Sequence, residues 1–189
     1  TDLRLTLTAI AGEFRICQAS LGERVIQAGD AQPDVSAVLA HVLGPLFETV
    51  DNTVSFWQRT RGSDAVPVFG SHPEIAGDPA PVNVRRMVES FRLGSQDLQE
   101  VWNAILPPAT LLEFKKMARR PDEEFRMPDE VWARTIYDFA LGYRLRVIDR
   151  NHLLRAMTPI YLGWLASFVN EMRDRPERVE ERLEALCLV

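Results

Sequence analysis

Apolar residues recur at three- and four-residue spacing along most of this chain, and that rhythm restricts it to a helical architecture. After Pro33 the positions Val35, Val38, Leu39, Val42, Leu43, Leu46, Phe47, Val50, Val54 and Trp57 trace one buried stripe. Pro45 lies inside the stripe and is expected to kink or split the helix. A second long helix is marked by Val84, Met87, Val88, Phe91, Leu98, Val101, Trp102 and Ile105, loosened near Gly94 and stopped by Pro107 and Pro108. A short helix follows from Leu111 to Ala118. Pro128 with Asp129 and Glu130 opens another helix, through Val131, Trp132, Ile136, Phe139, Ala140, Tyr143 and Val147. Proline and acids suit the free N–H groups at a helix start. Asn151 to Met172 is apolar on more than one face, as in the middle of a bundle, and is expected to bend at Pro159. A charged helix, Pro176 to Leu188, ends the chain.

The N-terminal stretch reads differently. Leu3, Leu5, Leu7, Ile10 and Phe14 suit a short helix with Asp2 at its N-cap and Gly12 near its end. Arg15 to Ile26 is the one convincing piece of strand material, and two or three strands are the minimum for a stable sheet. Residues 61–82 hold four prolines and three glycines and read as a long irregular connection. The fold class is therefore mainly α: a multi-helix bundle with a short β-segment near the N-terminus.

Composition sets further bounds. At 189 residues, 46% hydrophobic and 26% charged, the chain has ordinary globular make-up. A net charge of −5 argues against nucleic acid as a partner. Ala156 to Val169, the longest uncharged apolar run, is too short to span a bilayer, and no signal-peptide pattern opens the chain. The expected location is the cytoplasm. Cys17 and Cys187 are expected to be buried free thiols in a reducing compartment. The chain opens at Thr1 inside an amphipathic pattern, which suggests part of a longer polypeptide.

Residue chemistry alone declares no reaction. His41, His72 and His152 lie far apart and read as surface or helix-end histidines. No phosphate-cradling glycine loop and no nucleophile motif occurs. Lys115, Lys116, Arg119 and Arg120 read as a solvated helix end, and Arg144, Arg146 and Arg150 as a helix C-terminus. Trp57, Trp102, Trp132 and Trp164 are in phase with apolar stripes and are expected in the core; the alternative is a sugar-stacking platform.

A resemblance adds a direction. The opening Thr1-Asp2-Leu3-Arg4-Leu5-Thr6, then Ala9-Ile10, then Arg15-Ile16-Cys17-Gln18-Ala19-Ser20-Leu21-Gly22, resembles part of the GT-A-fold family-2 glycosyltransferases, among them the mannosylglycerate and glucosylglycerate synthase-like enzymes of prokaryotes. There an acidic residue heads a helix and a β-segment ending in Leu-Gly follows. Val82-Asn83-Val84 with Glu89-Ser90-Phe91, Trp132 with Tyr137-Asp138-Phe139-Ala140, and His152-Leu153-Leu154-Arg155 running to Thr158-Pro159-Ile160-Tyr161-Leu162-Gly163 are similar to the helical C-terminal region of those proteins. Order and spacing carry the likeness.

The resemblance implies that residues 1–30 are a remnant of an α/β GT-A catalytic domain and 31–189 a C-terminal helical region. The helical region would shape the acceptor side of the site, form a subunit contact, or both. The parent would be a glycosyltransferase moving a hexosyl group from a nucleotide sugar to a small or carbohydrate acceptor. Donor and acceptor would bind through an N-terminal half not present in this chain, with Mg or Mn held there; this chain by itself would carry no cofactor and be inactive. Asp2 would stand beside the acceptor hydroxyl as a catalytic carboxylate, against its plainer reading as an N-cap. In place of the family's metal-binding histidine stands Ile26, which cannot ligate, so no metal ligand is carried over. A homodimer is compatible with this reading. The competing readings are a non-enzymatic helical interaction or oligomerisation module, and a helical bundle that binds a small molecule.

Overall fold

The computed structural model describes residues 2–19, 34–62, 65–70, 82–173 and 175–186. The chain divides into two compact units, Thr1–Pro81 and Val82–Val189. The boundary expected between residues 30 and 31 lies outside the described residues.

In the first unit, α1 (Asp2–Ala11) leaves its helix through Gly12 and Glu13, the latter at φ 55°. α2 (Val35–Asn52) starts on Asp34, whose carboxylate accepts the Ser36 N–H at 3.1 Å. α1 packs on α2, with Leu7, Leu39, Leu43 and Phe47 buried. Pro45 does not split α2; the division falls at Thr53, before the short α3 (Val54–Trp57). Leu39, Leu43 and Phe47 lie at i, i+4 and i+8, so one buried face runs through the proline and holds the helix on both sides. The Thr49 hydroxyl donates to the Pro45 carbonyl at 2.7 Å. At Thr53 the backbone leaves helical geometry (φ −122°, ψ 33°).

The strand material at Gln18–Ala19 (β1) finds a partner within the supposedly irregular connection, at Val68–Phe69 (β2). The two pair in parallel, Gln18 with Val68 and Ala19 with Phe69, across a crossover that contains α2 and α3. All four residues are exposed. Cys17, just before β1, is exposed too, which corrects the expected burial: a two-residue pair has nothing to cover it. Cys187 lies outside the described residues.

The second unit is entirely helical among its described residues: α4 (Val84–Asp97), α5 (Gln99–Ile105), α6 (Pro108–Ala118), a 3-10 turn at Asp122–Glu124, α7 (Asp129–Leu145), α8 (Arg150–Ala156), α9 (Thr158–Met172), a 3-10 turn at Pro176–Arg178 and α10 (Val179–Leu186). Two helices expected to be continuous are each divided. The 84–105 helix breaks at Leu98 rather than at Gly94, and the 151–172 helix breaks at Met157, which places Pro159 in the first turn of α9. Both glycines on the α4–α9 crossing are there for closeness. A Cβ on Gly94 would lie 2.5 Å from the Pro159 Cβ, and one on Gly163 2.8 Å from the Phe91 Cδ2.

Phe91 sits at the centre of the core, 5.4 Å from Phe114 and 5.2 Å from Phe125 between ring centroids, both edge-on. Trp102 adds to the cluster, 5.5 Å from Phe114. Of the four tryptophans, Trp102 and Trp132 are buried, while Trp57 and Trp164 are half-buried. Trp132 and Trp164 stack face to face at 5.3 Å and 16°, so each covers a ring face of the other. Arg92 ties the α6 exit to α4: its Nε donates to the Ala118 carbonyl, one Nη to the Arg120 carbonyl, and the other pairs with Asp122 at 2.7 Å. At the far end Arg182 of α10 pairs with Asp129 at 2.7 Å and Glu171 at 3.2 Å. No helix among the described residues is long and apolar enough to cross a membrane.

Candidate functional site

The second unit carries an open hollow of about 700 Å³, lined by Leu98, Asp149, Asn151, His152, Arg155 and Ala156. Local sequence builds its rim. Arg146 takes a left-handed conformation (φ 52°, ψ 43°) that stops α7, and its N–H bonds the Gly142 carbonyl. Arg150 then folds back over the Tyr143 ring, 4.2 Å from its centroid, and its Nε donates to the Tyr143 carbonyl at 3.2 Å. Asp149 starts α8 by accepting the His152 N–H at 2.9 Å. Asn151, His152 and Arg155 are left exposed.

The floor depends on distant parts of the chain. Leu98 reaches it because α4 and α5 part there. The Trp102 indole N–H donates to the Ala156 carbonyl at 3.0 Å in a buried bond, pinning the end of α8 to α5. The hollow thus offers the Arg155 guanidinium, the His152 imidazole, the Asn151 amide and the Asp149 carboxylate beside Leu98 and Ala156. Its cationic and amide donors suit hydrogen bonds to hydroxyls and carboxylates. A smaller hollow of about 160 Å³ beside α10 is lined by already paired charges, Arg178 with Glu181 and Arg182 with Glu171.

Asp2 is the first residue of α1, but the catalytic role expected of its carboxylate falls outside the described residues, as do Ile26 and His72. His41 and His152 are exposed. Lys115, Lys116, Arg119 and Arg120 are exposed around the end of α6. Among the described residues no group of three His, Cys, Asp or Glu side chains converges to hold a metal ion. Asp138 on α7 is the one carboxyl held above its ordinary range among the described residues; burial raises it, and the Arg134 charge partly opposes that. Its Oδ2 is buried without a hydrogen-bond partner.

From the sequence His152 reads as a surface or helix-end histidine, and Leu98, Asp149, Asn151 and Arg155 carry no site role. Asp149 was findable: an Asp three residues before the first well-bonded N–H of a helix is an N-cap signature. Leu98 was not, since nothing local marks where a distant break will sit.

Fold and hollow together define a mainly helical protein with a two-stranded parallel pair near its N-terminus and an open polar hollow on its helical unit. No known family, curated protein or solved structure matches the chain.

Proposed function

We propose that the chain is the C-terminal helical portion of a nucleotide-sugar-dependent glycosyltransferase of the GT-A type, with residues 1–30 a remnant of the catalytic domain. One observation carries the reading, and it joins β1 of residues 1–30 to β2 at Val68–Phe69, beyond that remnant. The β1–β2 pair is parallel, two residues long and exposed on both faces. Parallel sheet occurs almost only with both faces covered, and an isolated pair of strands is at best marginal in water. Such a pair is expected to be completed by further strands and helices, as in an α/β catalytic domain. Leu5, Phe14, Val35, Val38 and Val42 leave apolar surface on the same unit for that domain to cover.

In this reading the helical unit walls the acceptor side. Taken within the helical unit alone, the hollow at Asn151, His152 and Arg155 offers donors that suit hydroxyls and carboxylates. Asp2 orients the acceptor hydroxyl or takes its proton. Donor, metal and acceptor bind through the half this chain lacks, and the location is cytoplasmic. The test is the intact mass of the natural polypeptide captured from its cells, followed by a transfer assay of that polypeptide with Asp2→Ala beside it. A mass well above 21.5 kDa and a loss of transfer rate in the variant are expected. A mass near 21.5 kDa overturns the reading; unchanged transfer in the variant removes the role of Asp2.

A second reading, a helical interaction module, is favoured by a different observation: the exposed apolar residues Tyr137, Leu141 and Leu145 on α7.

A further inference from the structure

We draw no further inference here: the strongest candidate, the exposed apolar stripe of Tyr137, Leu141 and Leu145 on the outer face of α7, carries nothing because nothing in the structure shows what covers it.

Discussion

Gly163→Ala adds one methyl group to the α4–α9 crossing, and the structure fixes what that methyl meets. Its carbon would lie 2.8 Å from the Cδ2 and 3.0 Å from the Cγ of Phe91. Comfortable carbon–carbon contact needs roughly 3.5 Å, so the shortfall is about 0.7 Å. Phe91 has nowhere to go: it is fully buried, with Phe114 and Phe125 edge-on against it. For Gly94→Ala the contact is 2.5 Å to a proline ring carbon, which has no rotamer to escape into; the shortfall there is about 1 Å. Overpacking on this scale costs about 1–3 kcal/mol. Against it stands the intrinsic gain of alanine over glycine in a helix, about 1 kcal/mol. Gly142→Ala on α7 separates the two effects. The atoms nearest its methyl would be the Leu153 Cδ1 at 3.3 Å and the Ile105 Cγ2 at 3.4 Å, both side-chain ends. All three glycines are buried within helices, so the propensity gain is common and cancels in the comparison. Gly163→Ala is expected to be less stable than Gly142→Ala by about 1–3 kcal/mol, and Gly94→Ala by at least as much. Urea unfolding followed by tryptophan fluorescence reads this as a midpoint difference of about 1 M. If Gly94→Ala and Gly163→Ala raise the midpoint as Gly142→Ala does, the close crossing of α4 and α9 is wrong.

Three further expectations concern polar contacts. Trp102→Phe leaves the buried Ala156 carbonyl without its 3.0 Å donor, a loss of about 1–3 kcal/mol that the same urea titration detects. Arg182→Ala removes the ties of α10 to Asp129 and Glu171; at about 1 kcal/mol the effect is local, seen as faster amide hydrogen exchange across residues 179–186 with little change in the global midpoint. Asp138 has its carboxyl raised by burial, so the folded state binds a proton there more tightly than the unfolded chain does. Its ionisation therefore lowers stability as pH rises through the raised folded value, and the penalty is absent below the ordinary carboxylate range. Asp138→Asn is expected to raise the melting temperature near neutral pH, with the gain vanishing in acid; a gain that persists unchanged at acidic pH would contradict this origin.

The helices were legible because their causes are local. Three-four spacing marked α2, α4, α7 and α9, but not all of their ends. Pro108, expected only to stop the preceding helix, stands in the first turn of α6; Pro159, expected as a bend, stands in the first turn of α9; and Asp149, given no role from sequence, caps α8. Asn83 caps α4 by accepting the Arg86 N–H at 3.0 Å. Each of these signals acts within about one helical turn, so a reader of the sequence has all the atoms in view. The split expected as one outcome at Pro45 does not occur, because packing on both sides of it, through Leu39, Leu43 and Phe47, holds the helix together. Val68–Phe69 was passed over because a two-residue strand has no periodicity to read; only the backbone of Gln18–Ala19, some fifty residues away, makes it a strand.

Tertiary structure decided the rest. The sequence alone determined that this chain is a set of amphipathic helices with too little strand to stand as a sheet. It did not determine that Trp102 would cap the Ala156 carbonyl, that Leu98 would floor the hollow beside His152 and Arg155, or that Gly94 and Gly163 would let α4 and α9 meet. The physical reason is reach. Hydrogen bonds along a helix and the free energy of a cap depend on neighbours in the chain. A core contact between residues 94 and 159, or a hollow between 98 and 155, depends on which apolar faces choose each other, and many pairings of equally apolar faces are compatible with the same pattern.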